Sequence, residues 1–207
     1  MRFVEKDTRQ LVADEAARLI YDEGYRDYRL AKQKAAARLG ATTQSKNQPS
    51  NEEIDTALHE YIKLFAADEQ WPILRHHREI ALEAMHFLRD FAPRLTGAAL
   101  EGTSGPLSAI TLFLSANCAE DVIVFLEEQQ IPYQTHERKM RFGQQQEYFP
   151  LLRFYADDIE IELLVFPDEG RNVAPISPIT GKPAKRADID KVKALLTAMG
   201  TTPDSPT

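Results

Sequence analysis

The feature that most constrains this chain is a change in the spacing of its apolar residues at Pro93. From Asp7 to about Arg89, apolar residues recur at the three- and four-residue spacing of amphipathic helices. After Pro93, short apolar runs alternate with turn-forming residues, a pattern typical of strands. The spacing predicts an α+β fold, with an N-terminal helical region of about four helices at residues 1–92 and a mixed β-sheet with flanking helices at residues 93–200.

Start and stop signals divide the N-terminal region into helices. The first helix is predicted to end at Gly24 and the second at Gly40, because glycine takes the left-handed conformation that often follows a helix. The third begins at Ser50, which stands three residues before Glu53, the spacing of a capping box. The fourth is predicted to begin around Trp71 and Pro72 and to end before Pro93.

The region after Pro93 contains several short elements. In chain order, the pattern predicts strands at Leu95–Leu100 and Ile110–Leu114, a helix over residues 119–130, an extended segment over 131–143, a hairpin hinged at 156–158, a strap over 172–187, a last helix over 188–200 and a disordered tail at 201–207. The strap is too rich in proline to be a helix or a strand.

Composition argues against a nucleic-acid-coating, membrane-spanning or secreted protein. The 207 residues carry a formal charge of −7, which argues against a chain that coats nucleic acid or an anionic membrane over its whole surface. No apolar run approaches the roughly 20 residues that span a bilayer, and the first ten residues lack the apolar core of a secretory signal. The single cysteine, Cys118, cannot form an internal disulfide. We therefore expect a cytoplasmic protein with no membrane partner.

One segment combines a glycine-containing loop with an alternating strand. Its residues, in order, are Gly97-Ala98, Gly102-Thr103, Ser108 and Ala109-Ile110-Thr111. This frame resembles the nucleotidyltransferase superfamily, the polymerase-beta-like fold, over roughly Leu95 to Phe166. In that family a strand ends in Gly-Ser, a loop with a second glycine follows, and the next strand carries Asp-x-Asp after a serine. The resemblance implies a nucleotidyltransferase-like mixed sheet whose third acid is Glu160 or Glu162, which share one face of the predicted strand.

The departures from the family fall where its chemistry takes place. The family's paired aspartates hold magnesium, whereas Ala109 offers no ligand and Thr111 only a neutral hydroxyl. Ala98 replaces the serine that would bond a phosphate. The resemblance therefore implies a degenerate member without the Asp-x-Asp metal pair. If catalysis survives, Glu160 and Glu162 are the predicted catalytic residues, and magnesium is the possible cofactor; no other cofactor is predicted.

The surviving backbone frame can still present amide and hydroxyl donors to a phosphate. The predicted ligand-binding residues are Gly97, Gly102, Thr103, Ser104 and Ser108 from the loop, with Lys182 and Arg186 from the strap. No metal-binding residue is predicted. The expected function is binding of a nucleotide or another phosphate-containing small molecule in a regulatory role.

Two alternatives stay open. One is an active nucleotidyltransferase with an atypical metal site that uses Glu160 and Glu162. The other is a protein- or RNA-interaction module that uses the basic helix over residues 25–39, where Arg26, Arg29 and Lys32 lie near two tyrosines. RNA is a possible partner in that second case. The sequence gives no prediction of the oligomeric state.

Overall fold

The computed structural model describes residues 7–41, 48–167 and 174–200. These residues form seven α-helices and one five-stranded mixed sheet, which confirms the predicted α+β class. The helices are α1 (Thr8–Glu23), α2 (Tyr28–Arg38), α3 (Asn51–Phe65), α4 (Ala67–Phe87), α5 (Ala98–Glu101), α6 (Ala119–Glu128) and α7 (Ile189–Met199). The strands are β1 (Arg94–Thr96), β2 (Ile110–Ala116), β3 (Gln134–Phe142), β4 (Gln145–Ala156) and β5 (Ile159–Pro167). The predicted disordered tail at residues 201–207 lies outside the described residues.

The chain divides into two compact units. The first comprises Met1–Trp71, Thr103–Ser108 and Pro178–Thr180. The second comprises Pro72–Gly102, Ala109–Ser177 and Gly181–Thr207. The N-terminal segment of the first unit ends at Trp71, because α4 continues into the second unit. The predicted helical region extends to residue 92.

The first unit is built on α1, α2 and α3, which enclose a core of alanine, leucine and isoleucine side chains. Gly24 ends α1 with a φ of 68°, and its N–H donates to the carbonyl of Leu19, as predicted. Ser50 and Glu53 form the predicted capping box at the start of α3. Glu53 also accepts from the Arg9 guanidinium, and this bond, aided by the Ser50 N–H, lowers the pKa of Glu53 to about 2.

The predicted start of the fourth helix at Trp71 and Pro72 is wrong by more than a turn, since α4 begins at Ala67. Ala66 ends α3 and its carbonyl accepts from the N–H groups of Glu69 and Gln70, so the chain turns within one residue. Pro72 therefore lies inside α4 as its sixth residue, where it removes one backbone hydrogen bond to the preceding turn.

The sheet has the strand order β1-β2-β5-β4-β3. Strands β2 and β5 are parallel, and the other neighbouring pairs are antiparallel. One face carries β2 and β5 side chains such as Leu112 and Leu163, which share a core with Met85 of α4, Leu126 of α6 and Val192 of α7. The hairpin between β4 and β5 turns at residues 157 and 158, as predicted, and both take the left-handed φ of such a tight turn.

The predicted strand at Leu95–Leu100 is wrong for its second half, which forms the single turn of α5. Gly97 has a φ of 72°, which redirects the chain, and its carbonyl accepts from the N–H groups of Leu100 and Glu101. The buried Arg78 then holds this turn, because its Nε donates to the carbonyl of Ala99 at 2.9 Å.

The strap is neither helix nor strand in its described part, residues 174–187, as predicted. It folds back on itself through a bridge between Ile176 and Pro183, and the N–H of Gly181 donates to the carbonyl of Ser177. A second bridge joins Ala187 to Leu95 of β1. The last helix follows at once as α7, which confirms that prediction.

Candidate functional site

The face of the sheet opposite the helical core carries a row of polar side chains. Strand register places Thr96 beside Thr111 and Thr111 beside Glu162. On β4, Arg153 lies directly opposite Glu162. We call this surface the arginine face, and its polar members are Thr96, Thr111, Arg138, Arg153, Glu160 and Glu162.

Glu162 is the centre of this surface, and its side chain is 0% exposed. The Nη2 of Arg138 donates to both carboxylate oxygens at 2.7 Å. Arg153 contacts Oε1 through Nη2 at 3.0 Å and Nε at 3.2 Å, and the hydroxyl of Thr111 lies 3.4 Å from Oε2. A buried carboxylate is stable only with such compensation. Glu162 is thus neutralised by two guanidinium groups.

Glu160 lies two residues away on the same face, as predicted, but it is more exposed. Its Oε1 lies 3.4 Å from the Nε of Arg153, and its Oε2 accepts from the hydroxyl of Tyr155 at 3.2 Å. The two predicted acids therefore share one arginine, Arg153. Glu160 keeps contact with solvent, with 18% of its side chain exposed, whereas Glu162 has none.

The residues at this position do not fit the magnesium ion that the family resemblance implies. The resemblance would place the family's carboxylate pair at Ala109 and Thr111, and neither residue supplies a charged oxygen. Glu162 is the only carboxylate beside Thr111 on β5, and both of its oxygens already accept from guanidinium groups. Among residues 7–41, 48–167 and 174–200, no three His, Cys, Asp or Glu side chains come together in a group that could hold a metal ion.

The loop from Thr103 to Ser108 belongs to the first unit and packs against α1. A Cβ built on Gly105 would lie 2.2 Å from the carbonyl oxygen of Tyr21, so this glycine permits a close backbone contact. The Gly105 N–H donates to the Ser108 hydroxyl at 2.9 Å. The hydroxyl of Ser108, a predicted ligand-binding residue, is therefore already engaged with the backbone of its own loop.

The other predicted loop residues are distributed between the two units. Thr103 and Ser104 are buried in the first unit, and the Ser104 hydroxyl has no hydrogen-bond partner in the described part of the chain. Gly97 lies in the second unit at the edge of the arginine face, where a Cβ on it would lie 3.8 Å from the hydroxyl of Thr111. Gly102 also belongs to the second unit and ends α5 with a φ of 88°.

Residues 184 and 185 of the strap lie on the arginine face. The hydroxyl of Thr96 donates to the Lys185 carbonyl at 2.9 Å, and Ala184 packs on the apolar end of the same face. Lys182 is exposed and Arg186 is half-buried, and both belong to the second unit. The structure thus brings the backbone of Lys185 to the surface that holds Glu160 and Glu162.

Sequence reasoning missed Arg138 and Arg153, which hold this site together. A signal for Arg153 was present, since it interrupts an otherwise apolar strand between Leu152 and Phe154. A charged residue among buried neighbours needs a compensating charge, and Glu162 on the next strand supplies it. Arg138 lies in a mostly exposed polar strand, so the sequence around it gives no comparable signal.

The basic helix of the interaction hypothesis is partly neutralised by acids in its own unit. Arg38 lies 3.1 Å from Glu15 and 2.9 Å from Glu23, and its hydrogen bond lowers the pKa of Glu23. Lys32 is partly desolvated, which lowers its pKa, and the nearby charge of Arg9 lowers it further. The two ion pairs of Arg38 reduce the positive charge that α2 presents.

Comparison with protein-family models gives no match, and no curated protein matches the chain. In the part of the chain that the structure describes, no helix is both long enough and apolar enough to cross a bilayer. The function is therefore inferred from the residues and the geometry of the arginine face.

Proposed function

We propose that this chain is a nucleotidyltransferase-like protein without the family's metal-dependent catalysis, and that it binds a nucleotide or another phosphate-containing small molecule in a regulatory role. The observation that carries the proposal is the contact of Arg138 and Arg153 with Glu162. If the resemblance holds, two guanidinium groups take the place where that family gathers carboxylates around magnesium. The donors of Arg138 that do not contact Glu162 favour an anionic ligand.

Arginine suits a phosphate because its planar fork matches the spacing of two phosphate oxygens. Arg138 contacts Glu162 through Nη2 alone, so its Nε and Nη1 have no protein partner among the described residues. Its side chain is 30% exposed, which leaves those donors within reach of a ligand. A phosphate held there would also lie on the face that the backbone of Lys185 contacts.

Charge balance limits what the arginines alone can do. Arg138 and Arg153 offset Glu160 and Glu162, so the four side chains sum to zero formal charge. We assign the additional positive charge to Lys182 and Arg186 of the strap. In this proposal a triphosphate is bound by the donors of Arg138 and by these two basic side chains, with no bridging metal ion.

The test is calorimetric titration with ATP, GTP, CTP and UTP of the wild type and two variants. In Arg138→Lys the charge that compensates Glu162 is kept, but the planar fork is lost. Affinity should fall about tenfold, the effect of losing one charge-assisted hydrogen bond. Arg141→Gln is the control, because Arg141 is an exposed residue of the same strand on its opposite face and should bind as the wild type does.

Equal affinity in Arg138→Lys and the wild type would contradict the proposed site. No binding to any of the four nucleotides would contradict the nucleotide assignment. The two earlier alternatives predict other results: an active transferase should lose turnover in Glu160→Gln, and an RNA-binding α2 should lose affinity when Arg29 is neutralised.

A further inference from the structure

Strand β3 forms an edge of the sheet, because it pairs with β4 on one side only. A two-residue turn joins β3 to β4, and Phe142 and Gln145 are the paired residues next to this turn. In an antiparallel hairpin of this type, the closing pair exchanges hydrogen bonds, and alternate residues then direct their backbone groups away from the partner. The outward-directed residues of β3 are therefore Thr135, Glu137, Lys139 and Arg141.

The position of the strap agrees with this alternation. The carbonyl of Arg141 accepts from the N–H of Ile176, which lies beyond the edge of the sheet. For Thr135, Glu137 and Lys139, no such backbone bond exists among the described residues. These three residues are also exposed. An edge with unpaired N–H and C=O groups is a template for another strand.

Charged residues on an edge strand usually discourage pairing, because like charges meet across the new ladder. The charges of β3 have the opposite effect when the strand meets its own copy. Glu137 and Lys139 lie on either side of Arg138, so a two-fold axis through Arg138 places Glu137 of each chain opposite Lys139 of the other. The same axis leaves Arg138 opposite Arg138, but each of these guanidinium groups is already bound to its own Glu162.

We propose that the protein forms a homodimer by antiparallel pairing of β3 with β3 about this axis. The two sheets then continue into one, and Glu137 and Lys139 form about four backbone hydrogen bonds between the chains. A shift by two residues removes both ion pairs and places either Glu137 opposite Glu137 or Lys139 opposite Lys139. The second of these shifts also requires the edge at Arg141, whose carbonyl already accepts from the Ile176 N–H. The proposal does not depend on the ligand of the arginine face.

Charge reversal tests the pairing through sedimentation equilibrium of the full-length chain. The wild type should be a dimer. Glu137→Lys and Lys139→Glu should each dimerise at least tenfold more weakly, because each places like charges opposite one another twice. An equimolar mixture of the two variants should associate again as a heterodimer, since every lysine then meets a glutamate.

The control is Glu147→Lys, which reverses an exposed charge on the other strand of the hairpin and should leave the dimer unchanged. Circular dichroism checks that every variant is folded. A monomeric wild type would overturn the proposal and leave the edge to another partner, such as an acidic peptide. Dimers in both charge-reversal variants, or a mixture that does not associate, would overturn it as well.

Discussion

Glu162 is a residue whose environment argues for a structural role. Its side chain is fully buried and its two oxygens accept from two arginines. A catalytic acid or metal ligand needs an oxygen that can reach a substrate or an ion. The carboxylate of Glu162 instead holds Arg138 and Arg153 in place, and these two residues are the ones that contact the ligand in our account.

This role predicts a large loss of stability in Glu162→Gln. The substitution leaves two guanidinium groups facing a neutral amide, and breaking a buried charge pair in this way costs about 3 kcal/mol. The matched control is Glu160→Gln, where solvent reaches the side chain and the loss should be about 1 kcal/mol or less. Urea denaturation measures both. A Glu162→Gln variant as stable as the wild type would indicate a functional acid whose removal relieves strain.

His77 gives the protein a pH dependence that does not involve the arginine face. Its side chain is 3% exposed, and burial, followed by the charge of His76, lowers its pKa from 6.5 to about 4. The unfolded chain therefore binds a proton near pH 6.5 that the folded chain does not accept until about pH 4. Stability is complete above about pH 6.5 and decreases as the pH falls through this window.

We expect the wild type to lose about 2 kcal/mol of unfolding free energy between pH 7 and pH 5 through this residue. The variant His77→Gln has no imidazole to protonate, so its unfolding free energy should decrease by about 2 kcal/mol less than that of the wild type over the same pH range. Denaturant unfolding at the two pH values measures the difference. Identical pH dependence in both proteins would mean that His77 is accessible to protons in the folded state.

Among the connecting elements, the loop between α5 and β2 contains two glycines that are required for different reasons. Gly105 is required by close packing, because a Cβ would collide with the Tyr21 carbonyl of α1. Gly102 is required by its φ of 88°. Space is not the reason, since a Cβ built on it would lie 4.0 Å from the nearest atom, in Leu74. Gly105 is thus explained by packing and Gly102 by turn geometry.

The substitution Gly105→Ala should lower stability by about 3 kcal/mol, since the backbone of α1 must move to admit the new methyl group. Gly40→Ala is the control in the same unit: it has a φ of 60° but no neighbouring atom within 4 Å, so only about 1 kcal/mol is expected. Thermal unfolding followed by circular dichroism compares them. Equal losses would contradict the close contact between the loop and α1.

The sequence predicted elements well where the signal was local. The capping box at Ser50, the glycine end of α1 and the acidic turn at residues 157 and 158 depend on neighbours in the chain, and all were found. The first strand was overextended because Ala98–Glu101 is apolar enough for either structure, and Arg78, distant in sequence, holds the helical turn. The pairing of Arg138 with Glu162 joins strands that are not neighbours, so no local pattern could reveal it.

At the scale of the whole molecule, the charges are distributed unevenly. The chain is acidic overall, yet Arg138 and Arg153 lie together on one face of the sheet, where both contact Glu162. Local positive charge on an acidic protein favours a compact anionic ligand over a long polyanion, because the rest of the surface repels the latter. This distribution supports a nucleotide rather than RNA as the partner of the arginine face.

If the arginine face replaces a metal-dependent site, nucleotide binding should not depend on magnesium. Calorimetric titration of the wild type with UTP and ATP should be made in the presence of magnesium and again in excess chelator. We predict binding without magnesium and no more than about a threefold change on its addition, roughly 0.7 kcal/mol. Binding that requires magnesium would contradict the account and indicate a set of carboxylate ligands that the arginine face does not provide.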